Sequence, residues 1–356
     1  MTGSPPVLAA DDLVLLGQPF WLWQVGVAIV GVAALLILGS RLWHPRIATL
    51  RWWALGNIVV NAGISVTGAT VRVTESGLGC SEWPRCTPES FVPVGGDHSA
   101  FNAAIEFGNR TVTFLVLAVG VLIFMAALRL RPRRRDLITM ATIIPIGVLG
   151  QGVVGGITVW SDLHPAAVGG HFLLSTLVVV LTVAFYVRCR QPEGPLRRTV
   201  TPLTRRVAGV LTVVGFALIV LGTVVTGTGP HGGDLEAPRY GFDIVTVTRL
   251  HSGLAWLTVA LSVALMVLLM RTGAPRALRV QGWLLLAALT AQGAIGYTQY
   301  ALGLPEALVV LHVLGSALVW VAILRVWFGT AERVAADAPD VPTGTGGTTG
   351  ERVTTP

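Results

Sequence analysis

The chain has 356 residues, of which 53% are hydrophobic and only 12% charged, and its mean hydropathy is +0.71. Soluble domains carry about 25% charged residues, so a water-soluble globular enzyme or binding module is excluded and an integral membrane protein is expected. The net charge of +7 rests on arginine as the only basic residue type besides histidine; these arginines cluster between apolar runs, where they act as topology signals and not as nucleic-acid contacts.

In chain order, Met1 to Pro19 contains Asp11 and Asp12 and has no basic stretch before an apolar one, so no cleavable signal peptide is expected. Apolar runs of about 20 residues mark spanning helices. They occur at Phe20 to Ser40, Trp52 to Val71, Ala103 to Leu128, Leu137 to Val159, Ala166 to Val187, Val207 to Gly227, Val245 to Met270, Val280 to Tyr300 and Ala307 to Phe328. Arginines follow the first, third, fifth and seventh runs, for example Arg131, Arg133, Arg134 and Arg135, while the alternate loops carry Glu75, Glu82, Glu89, Asp97, Asp162, Asp234, Glu236 and Asp243. The positive-inside rule then predicts a multi-pass plasma-membrane protein with its N-terminus outside and its C-terminus cytoplasmic. Cys80 and Cys86 fall in an outer loop, where a close pair reads as a disulfide, and Cys189 falls inside as a thiol. Ala331 to Pro356, rich in Thr, Gly, Pro and Ala, reads as a disordered cytoplasmic tail.

The chain repeats itself. Gly150-Gln151-Gly152-Val153-Val154-Gly155 resembles Ala291-Gln292-Gly293-Ala294-Ile295-Gly296, Val66-Thr67-Gly68 resembles Val225-Thr226-Gly227, and Asn109-Arg110 resembles Thr248-Arg249. The stretches opening on His171 and His312 also match, and the order is the same in both halves. An all-α membrane protein is expected, with two tandem four-helix units related by a pseudo-twofold repeat. The boundaries are 1–51 for an extension with one additional helix, 52–187 for the first unit, 207–328 for the second and 331–356 for the tail.

Polar residues in the apolar runs share one depth. Glu106, Asn109, Arg110, His171, Arg249, His251 and His312 all lie near outside-facing helix starts, roughly 5–10 Å below the outer surface at 1.5 Å per residue. A histidine in hydrocarbon is costly and marks a functional site by default, although each alone could simply hydrogen-bond a neighbouring helix. His251 and His312, on the two outside-starting helices of the second unit, suit bis-histidine haem ligation. Arg110 and Arg249 would either snorkel to lipid headgroups or pair with haem propionates. Glu106 shares a helical face with Arg110, as an ion pair or as a carboxylate for proton transfer or cation stabilisation. His44, His98, His164 and His231 read as loop histidines, and Gly147, Gly152, Gly155, Gly156, Gly293 and Gly296 as helix-packing residues.

With Glu106-x-x-Asn109-Arg110, the outer loop Val71-Arg72-Val73-Thr74-Glu75-Ser76-Gly77-Leu78-Gly79-Cys80-Ser81-Glu82-Trp83-Pro84-x-Cys86 and the helical His171, His251 and His312, the chain resembles the haem A synthase family from Trp52 to Phe328. The resemblance implies oxidation of a methyl group of haem O to the formyl group of haem A, by successive hydroxylations, for terminal oxidase assembly. It implies haem b on His251 and His312, the substrate haem on His171 in the first unit, Glu106 as the family's acidic residue, and Cys80 and Cys86 as its paired cysteines. Haem O synthase, membrane lipid, an electron donor of unknown identity and a second copy of the chain are the implied partners, with no nucleic acid. Two features depart from the family pattern. Asn109 stands where E-x-x-H-R has histidine, which predicts an open or water-occupied coordination position, and the helix at Phe20 to Ser40 is an addition. The rival readings are a duplicated di-haem b-type cytochrome acting only as an electron carrier, which would need two low-spin centres, and a transporter built on repeats.

Overall fold

The computed structural model describes residues 14–15, 18–19, 31, 38, 43–94 and 99–335. The expected first span at Phe20 to Ser40, His98 and the tail from 336 onward lie outside the described residues. Among those described, eight long helices run α1 (Ile47–Val73), α2 (Ala100–Arg129), α3 (Arg135–Trp160), α4 (Pro165–Cys189), α5 (Pro202–Thr228), α6 (Ile244–Arg271), α7 (Arg276–Ala301) and α8 (Glu306–Gly329). Seven of them are long and apolar enough to cross a membrane. The exception is α7, expected as a span over Val280 to Tyr300. It is as long as its neighbours, but Gln281, Gln292, Gln299, Arg276 and Arg279 make it more polar.

The helix ends follow local chemistry. Ser99, Thr201 and Asp243 accept from the backbone N–H of Asn102, Thr204 and Thr246 and so cap α2, α5 and α6. Pro165 and Pro202 occupy first-turn positions, where the missing N–H costs nothing. The turn from α7 to α8 closes on Gly303 at φ +77°, with Leu304 N–H donating to the Gln299 carbonyl at 2.7 Å. That left-handed position is the reason a glycine ends the helix.

In the first half α1 packs on α2, α2 on α3, α3 on α4 and α4 back on α1; in the second α5, α6, α7 and α8 close in the same way. The halves meet through α1 with α8, α4 with α5, and α4 with α8. A twofold exchanging α1 with α5 and α4 with α8 maps the first two of these contacts onto each other and the third onto itself. At that seam the Trp320 indole N–H donates to the Thr176 carbonyl at 3.1 Å, in α8 and α4 respectively. Large apolar residues face outward, among them Trp52, Phe114 and Val213, each at least 70% exposed, as lipid-facing helices require.

The large buried apolar side chains gather at one end. The fully buried core comprises Leu50, Ile123, Leu137, Ile144, Phe185, Leu211, Leu265, Leu269, Leu285, Ile323 and Leu324. All lie in the half of the bundle at the arginine-rich end. There Arg134 and Arg188 pair with Asp136 at 2.9 and 2.7 Å, and the hydrogen bonds that Arg134 donates to Asp136 push its guanidinium pKa up. A two-stranded antiparallel sheet, β1 (Leu196–Arg198) and β2 (Ala331–Arg333), ties the inter-half linker to the chain after α8. The tail expected to be disordered from Ala331 thus begins as a strand, because Arg197 and Glu332 pair across it and Thr199 donates to the Thr330 carbonyl.

Candidate functional site

The polar residues singled out in the sequence gather at the opposite end. His171, His251 and His312 sit about six residues into α4, α6 and α8, roughly 9 Å from the helix starts at 1.5 Å per residue. Each ring rests on a glycine of the neighbouring helix. A Cβ at Gly222 in α5 would lie 3.2 Å from His251 Cε1, one at Gly296 in α7 would lie 3.1 Å from His312 Cε1, and one at Gly155 in α3 would lie 3.6 Å from His171 Cε1. Gly155 and Gly296, expected as packing residues, therefore admit imidazoles. Gly222 was not singled out in the sequence, although it stands at the same offset before Val225-Thr226-Gly227 as Gly63 before Val66-Thr67-Gly68.

The His251 and His312 ring centroids are 6.4 Å apart. Two imidazoles sharing one haem iron, with iron–nitrogen bonds of about 2 Å and about 1.1 Å from nitrogen to ring centre, would have centroids about 6.2 Å apart. The Nδ1 atoms of His171 and His312 are buried without a hydrogen-bond partner, which argues against structural histidines held by neighbouring helices, whereas the His251 ring interacts with the Leu218 backbone of α5. Among the described residues, no three His, Cys, Asp or Glu side chains gather as a metal-ion site. A planar macrocycle with two axial histidines fits these residues; a closed tetrahedral ion site does not.

The first half lacks the second imidazole. Asn109, on α2, has its amide oxygen 2.6 Å from Thr67 Oγ1 in α1, and Thr67 Oγ1 is also 3.0 Å from the Ile64 carbonyl. One hydroxyl hydrogen cannot serve both; with the amide turned over, Asn109 donates to Thr67 and Thr67 to Ile64. Asn109 is thus engaged by α1, and a Cβ at Gly63 would meet nothing within 4 Å.

One turn before Asn109, Glu106 is buried beneath the outer loop. Its Oε2 accepts the Cys80 backbone N–H at 2.6 Å, and its Oε1 accepts from Arg110 Nε and Nη2 at 3.0 and 2.5 Å. Arg110 also donates to the carbonyls of Glu82, Arg85 and Cys80 at 2.8, 2.9 and 3.3 Å. Cys80 and Cys86 form a buried disulfide. Arg110, expected to face a propionate, therefore directs its donors to Glu106 and the loop, because the loop returns over α2 and presents carbonyls that need donors. Trp83 lies over Gly156, where a Cβ would come within 2.6 Å of its ring, and stacks edge-on with Trp160 at 5.3 Å.

Arg249 is exposed on α6. Nearby, hydrogen bonds from the Thr246 hydroxyl and backbone N–H hold the Asp243 carboxyl below the usual carboxylate range. The loop histidines are used structurally: His164 Nδ1 accepts from Ala166 N–H at 3.3 Å, and His231 Nε2 donates to the Leu304 carbonyl at 3.0 Å. Arg72 joins the halves at this end by donating to the His231 and Thr226 carbonyls.

A family model described as cytochrome oxidase assembly protein matches residues 51–231. Three curated proteins named haem A synthase are similar to this chain. The one from Halalkalibacterium halodurans is 32% identical over 34% of this chain and 42% of its own. That from Geobacillus thermodenitrificans is 26% identical over 48% and 56%, and that from Symbiobacterium thermophilum 29% identical over 54% and 67%. The chain spans about half the length of the curated relatives it matches. The family match covers the disulfide loop, Glu106, Asn109 and His171 and ends before His251 and His312, so the second-half pair rests on its own geometry and on the internal repeat.

Proposed function

The chain belongs to the cytochrome oxidase assembly protein family, among the haem A synthases, and on that premise we propose that it oxidises a methyl group of haem O to the formyl group of haem A for terminal oxidase assembly. The observation that carries this is the asymmetry of the two histidine sites. A pair of imidazoles at 6.4 Å supports a resident haem b on His251 and His312. A single imidazole opposite an engaged asparagine supports a substrate haem on His171 with one coordination position left for chemistry.

Haem b in the second half would supply one-electron transfer between the site and an outside redox partner. The chain's own residues do the rest. Gly222 and Gly296 leave room for the two imidazoles and fix how far each ring can swing. His171 orients the substrate macrocycle. Glu106 is the carboxylate that takes up protons or steadies positive charge as the methyl group is oxidised, and it acts from beneath the Cys80–Cys86 loop. Arg110 holds that loop on α2 and donates two hydrogen bonds to Glu106 beside it. Arg249, exposed near Asp243, would meet a haem b propionate at the bundle end.

In this account the disulfide end faces outside and the β1–β2 end faces the cytoplasm, following the arginine distribution. A di-haem electron carrier would need a second ligand pair, and Asn109 bound to Thr67 does not supply it. The test is haem extraction from a strain that expresses the chain together with haem O synthase. Haem A is expected in the extract; haem O and haem B alone would sink the proposal.

A further inference from the structure

The internal repeat carries a glutamine whose two copies behave differently. Gln151 in α3 and Gln292 in α7 each stand four residues before the glycine that receives a histidine. In the second half Gln292 Nε2 donates to the His312 carbonyl at 2.9 Å. It reaches that carbonyl by lying across Gly315: a Cβ there would come within 1.9 Å of Gln292 Oε1, so the hydrogen bond requires glycine at this position.

Gly315 stands three residues after His312, and the residue three after His171 is Leu174. The same path is closed in the first half. Gln151 is 9% exposed, and neither its Oε1 nor its Nε2 has a partner. Its direction follows from its neighbours one turn away on the same helical face. A Cβ at Gly147 would meet Val178 of α4 at 3.2 Å, and one at Gly155 would meet His171 of α4 at 3.6 Å. Gln151 therefore lies on the α3 face turned to α4, one turn deeper in the bundle than the glycine under His171. A buried amide with both ends unpaired is costly to keep, and a ligand that completes it recovers that cost.

We propose that Gln151 is a specificity-determining residue of the first-half site, and that it hydrogen-bonds a neutral oxygen substituent, a hydroxyl or a carbonyl, on the deep edge of the substrate macrocycle. This rests on the proposed function, in which His171 holds that macrocycle. A primary amide both donates and accepts without charge, which matches a hydroxyl or formyl oxygen. Ionised propionates are better met by arginine near the bundle end. Two sources present this chemistry: the hydroxyl of the alkyl side chain that haem O carries, and the formyl oxygen that haem A carries in addition. Haem B carries neither.

The test is equilibrium titration of the purified full chain, already loaded at His251 and His312, with haem B, haem O and haem A, followed by the absorbance change of the first-half site. The wild-type chain is expected to bind haem O or haem A about tenfold more tightly than haem B, the factor for one hydrogen bond to a buried group. Gln151→Leu is expected to abolish that preference while leaving haem B binding and the second-half low-spin spectrum unchanged. If the side-chain hydroxyl is the partner, affinity for both haem O and haem A falls; if the formyl oxygen is the partner, only that for haem A falls. Leu174→Gly is expected to lose the same preference with Gln151 still present, because it opens the path to the His171 carbonyl; a space-filling role for Gln151 would not produce this. Equal losses for all three haems, or an undiminished preference in Gln151→Leu, would overturn the inference without touching the proposed function. Failure of the wild-type chain to take up any second haem would count against that function itself.

Discussion

The two halves are the same four-helix scaffold carried to different ends. In the second, His251 faces His312, glycines seat both rings, and the Gln292 amide N–H is bonded to the His312 carbonyl, while Gln292 Oε1 stays unpaired. In the first, Val112 stands at the repeat position of His251, Asn109 stands where the E-x-x-H-R pattern has histidine, a Cβ at Gly63 would meet nothing within 4 Å, Gln151 is unpaired, and a disulfide loop is fastened over α2 by Glu106 and Arg110. A satisfied pair of ligands makes a stable resident site. An incomplete one, covered by a loop, leaves a reactive position. The difference is carried by a few side chains, since the backbone contacts repeat.

The largest effect should come from the complete half. Replacing His251 and His312 together by alanine is expected to remove the low-spin bis-histidine spectrum altogether, measured on the purified chain by optical and EPR spectroscopy. A retained low-spin signal would place that haem elsewhere. Next is Asn109→His, which restores the E-x-x-H-R pattern on α2. The new imidazole, next to Thr67 of α1, is expected to complete a second ligand pair, raising the count of low-spin centres from one to two and suppressing haem A formation.

Arg110→Met should follow. It leaves the Glu106 carboxylate buried without its counter-charge, at a cost of about 3 kcal/mol, and frees three loop carbonyls. Faster proteolysis of the loop and loss of haem A are expected; Glu106→Gln should lose haem A with less loosening of the loop, because its single carbonyl oxygen still accepts from Arg110 and only the Cys80 N–H loses its acceptor. The smallest effect is expected from Gly296→Ala. Its Cβ would press on His312 Cε1 at 3.1 Å, an overpacking of about 1 kcal/mol that should weaken haem retention without abolishing it, as read by haem content after dialysis.

Much of this was legible in the chain itself. Runs of apolar residues separated by arginine clusters gave the helices, and the repeated Gln-x-x-x-Gly and His stretches gave the two units, because membrane burial forces long continuous patterns. The polar residues at one depth pointed to the site for the same reason: few are tolerated there. Other features were not legible. Arg110 turned to the loop because carbonyls at Cys80, Glu82 and Arg85 converge on it, a tertiary fact with no local signature. The roles of Gly63 and Gly222 depend on which helix lies opposite. The contrast between Leu174 and Gly315 matters only once Gln151 and Gln292 are seen beside them. The strand at Ala331–Arg333 pairs with residues from the middle of the chain, so tail composition alone could not reveal it.

The central claim is that one half holds a six-coordinate haem and the other does not. Low-temperature EPR of the purified wild-type chain carrying a haem in each half tests it most directly. The account predicts one low-spin bis-histidine centre, abolished by replacing His251 and His312, together with a high-spin centre that depends on His171. Two low-spin bis-histidine centres in the wild-type chain would contradict it and favour an electron carrier.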